Sequence, residues 1–419
     1  MSRLVTTGSQ KAPEAEIKLQ RSLGLWLSVL YGLGVTIGAG IYVLIAPVVG
    51  RAGMQAPLAF ILAALVMAPS AASFAELASR MPMSAGEATY VRAGLNSALL
   101  ARVVGLLVIA TAIISAATVS RGSAGYIQVL VGWPTPLIVT LVVLGLGVLT
   151  AIGIWQSVSF AGVMTLIEIG GLLLIVSLGA TYTPDLFHRL PEIWSGLDGA
   201  AAWVGIAGAI LLAFFAFTGF EGLANIAEEV KQPSRTLPIA IFFTLALVTL
   251  LYVLVVWVSL VAVPREELAR TAAPLSLVYE RVTGASPAVI TSIAVAATIN
   301  GIVVFMIMGS RVIYGMAAQG LLPARLARVN ARTRTPLAAT GIVVAAVMVL
   351  ALAFPIEGLA EASSRITLII FAFVNAALLK LKIDGLTAPA DVFVAPAWVP
   401  ALGLATSLAL LVGEIVLLL

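Results

Sequence analysis

The sequence predicts an all-α integral membrane protein with about eleven transmembrane helices, and three observations carry that expectation. Of the 419 residues, 61% are hydrophobic and only 10% are charged, with a mean hydropathy of +1.12. Soluble domains carry roughly 25% charged residues, so most of this chain must face lipid or other apolar helices. Apolar stretches long enough to cross a bilayer, which takes about 20 residues, recur along its whole length. Two of them are interrupted near mid-depth, the first by Gly38, Ala39 and Gly40 and the sixth by Phe217, Thr218, Gly219, Phe220 and Glu221.

In chain order the spans are expected at 25–46, 57–79, 98–120, 134–153, 158–179, 202–227, 238–262, 287–314, 337–355, 366–381 and 398–418. The tenth is short for a crossing. Residues 1–22 are polar and mixed in charge. They have neither the short apolar core nor the small-residue cleavage site of a removable leader, so they are expected to form a tail. If that tail is cytoplasmic, only Arg51, Arg121, Arg189, Arg265, Arg270, Arg281 and Arg365 among the 23 Lys and Arg fall on the opposite side. Such a bias fits a cytoplasmic N-terminus in a multi-pass protein of the cell (inner) membrane; an odd number of spans then puts the C-terminus outside. The longest connections, about 180–201 and 263–286, have room for one small surface helix each.

Composition also excludes several functions. With no cysteine there is no disulfide framework, thiolate chemistry or Cys-type metal site. The one histidine, His188, sits between Asp185 and Arg189 in a polar stretch and reads as a loop residue. The net charge of +4 does not point to nucleic acid, because the basic residues lie in short loops between apolar runs. No metal or other cofactor is expected. An enzyme would need a nucleophile with a base, or a metal set, and none is visible. A channel would need a filter loop or a symmetric pore ring.

The paired interruptions point instead to a secondary transporter. A helix in lipid must satisfy its own backbone, so irregular backbone at membrane depth survives only where it lines a cavity or packs on protein. Breaks at corresponding places in two halves of a chain mark the substrate site of many transporters. A broken helix offers N–H groups at the start of its second half and carbonyls at the end of its first, the former suited to anions and the latter to cations. Two such breaks meeting at mid-membrane match a zwitterionic α-amino acid. Its carboxylate would meet the N–H groups of Gly38, Ala39 and Gly40. Its ammonium would meet the carbonyls of Phe215, Ala216 and Thr218, with Ile37, Phe217 and Gly219 completing the small-molecule site.

Residues 34–44, GVTIGAGIYVL, resemble the first-helix motif of the amino acid–polyamine–organocation transporters. Residues 217–239, FTGFEGLANIAEEVKQPSRTLPI, resemble their broken sixth helix and the loop after it. Residues 74–93 (FAELASRMPMSAGEATYVRA) and 310–329 (SRVIYGMAAQGLLPARLARV) agree as well, so the likeness runs from about 19 to 382. The resemblance implies a five-plus-five inverted-repeat (leucine-transporter-like) fold. Its core would span 23–382, with repeats of about 23–180 and 200–382, and a peripheral eleventh helix would follow in 383–419. It also implies amino acids or amines as substrates. Family members commonly have twelve helices, and the missing one lies outside the repeat, which bears on dimer contacts rather than on transport.

Glu168, at the centre of the fifth span, is the candidate for coupling. A charged side chain there costs roughly 2.5–3.5 kcal/mol on insertion scales, so a function is expected. It could exchange a proton during transport, act as counter-charge to a cationic substrate, or stay protonated against a carbonyl of a broken helix. Some proton-coupled relatives carry a lysine in this neighbourhood, and the carboxylate is a departure from them. Glu221 suits a cap at the helix 6 break, with substrate contact as the other reading. Glu228, Glu229 and Arg235 could form an inner gate with Lys231 or the Arg80–Arg92 loop, or be solvated surface charges. Asn300 could line the cavity or bond between helices. Glu76 is expected to serve loop packing at the end of the second span, and Glu414 to reach the outer interface. Arg365 would steer anions or anchor a helix end. Proton symport is the expected coupling. Sodium is left open by Thr291, Ser292, Thr298 and Asn300, and amino acid or polyamine exchange without ion coupling is the alternative.

Overall fold

The computed structural model describes residue 21 and residues 23–38, 40–82, 86–152 and 158–418. Ala39 lies outside them, and so does the side chain of Glu414. The helices are α1 (Leu25–Ile37), α2 (Gly40–Ala52), α3 (Ala56–Arg80), α4 (Gly86–Leu95), α5 (Ala98–Val131), α6 (Thr135–Ile152), α7 (Val158–Tyr182) and α8 (Ala200–Phe217). They continue with α9 (Gly222–Asn225), α10 (Pro233–Ala262), α11 (Arg265–Leu268), α12 (Pro274–Thr283), α13 (Ala288–Ala318), α14 (Leu337–Ala353), α15 (Ile356–Ile383) and α16 (Trp398–Leu418). Each apolar stretch read from the sequence holds helix among its described residues, and the first and sixth are each divided in two. The molecule is an all-α membrane protein of the fold class expected.

Three spans differ from their hydropathy for identifiable reasons. The tenth runs over Ile356–Ile383, well beyond 366–381. Its first turns carry Glu357, Glu361 and Arg365, which lower hydropathy without ending the helix, and Glu361 pairs with Arg365 one turn on at 3.0 Å. The third continues past Arg121 to Val131 because Arg121 Nη1 donates to the Ala351 carbonyl at 2.9 Å, and so a charge is accommodated inside the bundle. Gly132, at φ +67°, ends it. The sixth becomes less regular than 202–227 predicts. After α8 and the four-residue α9 comes a tight turn over Ala227–Glu229, then extended backbone at Val230.

Packing joins the two halves of the chain element by element. α2 packs along α8, α3 along α10, α5 along α13 and α6 along α14. The first four spans therefore each lie against the span five places later. α1 runs beside α10 and α7, and α16 lies outside against α15 and α3. The two long connections are compact: a tight turn occupies Leu190–Trp194, and α11 and α12 fill the other.

Candidate functional site

The two breaks lie directly against one another. A side chain could not fit at Gly40, because a Cβ there would come within 2.5 Å of the Ala216 Cα. Gly219 is constrained twice over: its φ is +131°, and a Cβ would lie 2.6 Å from the Val35 carbonyl oxygen. Each break thus brings its glycine against the backbone of the other. Tyr252 of α10 joins them, its hydroxyl donating to the Ala216 carbonyl at 2.9 Å and the Thr36 carbonyl at 3.0 Å. Around this point Phe60, Phe217 and Tyr252 pack ring on ring, with centroids 5.1–6.2 Å apart. Phe217 is therefore part of the aromatic support of the break.

The backbone groups expected to hold a ligand are unequally available. Gly38 N–H is used in the last turn of α1, donating to the Gly34 carbonyl at 3.1 Å. Gly40 opens α2, where a first-turn N–H has no partner within its own helix. Phe215 O already accepts from both the N–H and the hydroxyl of Thr218, at 3.0 and 2.7 Å. Ala216 O accepts from Tyr252 and keeps a second lone pair. Ile37 is buried at the end of α1. Glu221 turns back into its own break and accepts the Gly219 N–H through Oε2 at 2.8 Å, and it makes no side-chain cap bond to α9.

Glu168 and Asn300 meet in the interior. Both are buried, and Asn300 Nδ2 donates to Glu168 Oε1 at 3.0 Å. The other two oxygens of the pair, Glu168 Oε2 and Asn300 Oδ1, are buried and have no hydrogen-bond partner among the described residues. The α7 backbone at this level is fixed by Tyr42, whose hydroxyl donates to the Glu168 carbonyl at 2.7 Å. Tyr42 in turn receives at its own carbonyl the hydroxyl of Tyr126 at 2.6 Å. The hydroxyls of α13 considered for sodium are otherwise engaged. Thr298 bonds to Ser123 at 2.9 Å and to its own helix, Thr291 bonds to Ser276 at 2.7 Å, and Ser292 is exposed.

Both ends of the broken helices are tied. At one end Leu23 N–H donates to the Glu229 carbonyl at 2.9 Å, and Lys231 N–H donates back to the Leu23 carbonyl at 2.7 Å. The sequence offered the side chains of Glu228, Glu229 and Arg235 as an inner gate or as solvated surface charges, and the bonds that tie Leu23 to the 229–231 segment here are backbone ones. Arg235 is exposed, and Arg80 goes to Glu76 instead. At the opposite end Arg51 of α2 reaches two other elements, donating to Glu361 of α15 and, at 2.7 Å, to the Gly208 carbonyl of α8. Arg365 also pairs with Glu361.

Sequence reasoning missed Tyr252, Tyr42 and the Arg51–Glu361 pair. A tyrosine in an apolar span carries no pattern that names its partner, whereas Arg51 and Glu361 lie more than 300 positions apart. It also missed that Glu168 and Asn300 face each other. The signal was present, since each is a strongly polar residue at mid-span.

The model of the amino acid permease family matches residues 23–416 of this chain. A branched-chain amino acid permease of Bacillus subtilis is 29% identical over 393 residues, covering 88% of this chain and 83% of the relative. An uncharacterized transporter of Mycobacterium tuberculosis is 35% identical over 380 residues, covering 88% and 82%. Human cationic amino acid transporter 4 is 28% identical over 406 residues, covering 90% of this chain and 62% of the relative.

Proposed function

This chain belongs to the amino acid permease family, within the amino acid–polyamine–organocation transporters, and on that premise we propose that it carries an α-amino acid across the cell membrane by alternating access, coupled to protons. The observation that carries the transport reading is the junction of the two breaks, where Gly40 lies on Ala216 and Gly219 on Val35. Helix ends from both halves of the molecule meet at one point, where N–H groups and carbonyls suit a zwitterion. Hydrogen bonds to charged groups contribute roughly 1.5–3 kcal/mol each, so a few of them would hold the amino acid's common part and leave its side chain to the surrounding apolar walls. The relatives are named for branched-chain and for cationic amino acids. That divergence fits a site in which backbone grips what all amino acids share.

The inverted repeat is supported by the pairing of α2 with α8, α3 with α10, α5 with α13 and α6 with α14. The Leu23–Val230 bridge closes the end assigned to the cytoplasm, and the Arg51–Glu361 pair closes the outer one. Alternating access requires the two closures to open in turn, a rearrangement of packed bodies rather than a continuous deformation.

Proton coupling rests on the Glu168–Asn300 pair. Two acceptor oxygens left over on one bonded pair, buried away from water, are costly unless something is donated to them. A proton on Oε2 turns that oxygen into a donor, with Asn300 Oδ1 as an acceptor on the same amide. Loss of the proton as the site opens to the other side couples the charge of the pair to the transport cycle. The engagement of Thr291 and Thr298 in bonds between elements argues against a sodium site on α13.

The test is uptake by the purified chain in proteoliposomes, with a panel of amino acids plus putrescine and spermidine, while external pH is recorded with and without sodium. The account expects uptake of an amino acid together with protons, independent of sodium. Uptake only against internal amino acid, with no proton movement, would establish exchange in its place.

A further inference from the structure

At the ends of α3 and α15 a buried cluster carries more positive than negative charge. Glu76, fully buried, accepts through Oε1 from Arg80 Nη2 at 2.5 Å and from Lys382 Nζ at 2.8 Å, and through Oε2 from the Ala395 N–H at 2.8 Å. Lys382 also donates to the Ala395 carbonyl at 2.6 Å, and Arg80 Nη1 to the Leu386 carbonyl at 3.3 Å. A guanidinium has five N–H donors and an ammonium three; the four bonds these cations make use half of them. Arg80 Nε is buried with no partner among the described residues. Two cations, each with only 10% of its side chain exposed, thus face one carboxylate. Such an excess of buried charge is unfavourable unless a counter-ion completes it.

A wide, open groove of about 650 Å³ lies at this cluster, walled by Arg80, Lys382 and the segment that leads to α16, including Leu386, Thr387, Val392 and Val394. No carboxylate is among its described lining residues. Asp384 is held by Lys380 at 2.7 Å. Beside the groove Ile383, Leu386, Val394 and Trp398 are all more than half exposed. The segment is anchored to the bundle by Phe393 against Phe242, with ring centroids 5.5 Å apart. Under-used cations in a recess, next to exposed apolar side chains at the ends of membrane spans, match a ligand with an anionic head and apolar tails.

We propose that this recess binds the headgroup of an anionic phospholipid. The phosphate meets Lys382 and Arg80, and the acyl chains lie along Leu386, Val394 and Trp398. The cluster joins α3, α15 and the α16 linker, so an occupied site holds the peripheral helix on the transport core. The inference rests on the membrane character of the chain and stands apart from its substrate and coupling.

The test is thermal unfolding of the full chain in detergent, titrated in turn with dioctanoyl-phosphatidylglycerol, dioctanoyl-phosphatidylcholine and inorganic phosphate. Each cation near an anionic headgroup contributes about fivefold to affinity, so the phosphatidylglycerol should bind at least about tenfold more tightly than the phosphatidylcholine. Lys382→Gln should weaken the anionic lipid by about fivefold. Because that change also removes one of the two cations on Glu76, Thr387→Glu serves as the second variant. Thr387 is exposed on the groove wall and makes none of the cluster's bonds. A carboxylate there should weaken the anionic lipid by about fivefold or more while the ligand-free Tm stays within about 1 °C. Equal binding of the two lipids, or phosphatidylglycerol binding unaltered in Thr387→Glu, would overturn the proposal. Full stabilisation by inorganic phosphate alone, with no further gain from lipid, would overturn it too and reassign the recess to a free anion.

Discussion

Glu76 and Glu168 are equally removed from solvent, each with 0% of its surface exposed, yet their surroundings differ in kind. Glu76 has two cations on one oxygen and a backbone N–H on the other. Glu168 has one amide donor on Oε1, and its Oε2 has no partner among the described residues. Burial alone therefore does not separate a structural carboxylate from one available for proton exchange. The donors supplied by the fold do. In Glu76 both oxygens are engaged, one by two cations and the other by a backbone N–H. In Glu168 one oxygen has no partner among the described residues, which leaves room for a proton there.

The largest expected effect lies at Glu76. Replacing it with alanine leaves Arg80 and Lys382 facing each other without their shared anion. Removing one partner of a buried pair costs roughly 3–5 kcal/mol, so Glu76→Ala should lower the unfolding temperature in detergent by several degrees and loosen α16 from the core. An unchanged Tm would show that the cluster is not fixed by Glu76, and the contrast with Glu168 would lose its first half.

A third glutamate should give an effect almost as large. Glu87 of α4, outside the spans, is 6% exposed and has Tyr90 and Glu221 as ionisable neighbours. Burial pushes its carboxyl up to about 7, a rise partly offset by its own backbone N–H. The native state then holds a proton that the unfolded chain, at the ordinary value of 4.5, has released. Its contribution to stability is fully present below pH 4.5 and is lost as pH rises towards 7. By about 1.4 kcal/mol per unit the change is on the order of 3 kcal/mol. Glu87→Gln should flatten the stability profile across that window, as read by thermal unfolding at a series of pH values. A profile identical to that of the parent chain would remove Glu87 from the account.

How far the sequence could go is clear from the same residues. The spans, the two interruptions and the family were legible because hydropathy and glycine placement are local signals. Glu168 and Asn300 stood out for the same reason, each being polar at mid-span. Their pairing, across 132 positions, was not legible, nor was the bond from Tyr252 to both breaks. Those facts depend on which faces of α7, α10 and α13 turn inward, and an all-apolar span carries almost no periodicity to fix that. The tie between Leu23 and the 229–231 segment was not legible either, because a sequence displays side chains and these bonds are made by backbone.

Smaller effects lie at the breaks and at the outer end. Tyr252→Phe removes the hydroxyl that joins the Thr36 and Ala216 carbonyls and should cost about 1 kcal/mol, with a larger loss of transport because the two breaks are no longer held together. Equal loss of stability and of uptake would make Tyr252 a packing residue only. Arg51→Gln should change stability by no more than about 1 kcal/mol, since the Arg51 side chain is 40% exposed. Its effect should appear in the rate of opening at that end, read by labelling a single cysteine placed near Gly208. The chain has no native cysteine to interfere.

The most direct measurement is proton-driven uptake by Glu168→Gln in proteoliposomes. A glutamine keeps the acceptor for Asn300 Nδ2 and supplies the donor that a proton would otherwise provide, so the protein should fold within about 1 kcal/mol of the parent and still bind amino acid. Uptake should no longer respond to an imposed pH gradient. Uptake by the variant that rises with the proton gradient as steeply as in the parent chain would contradict the account.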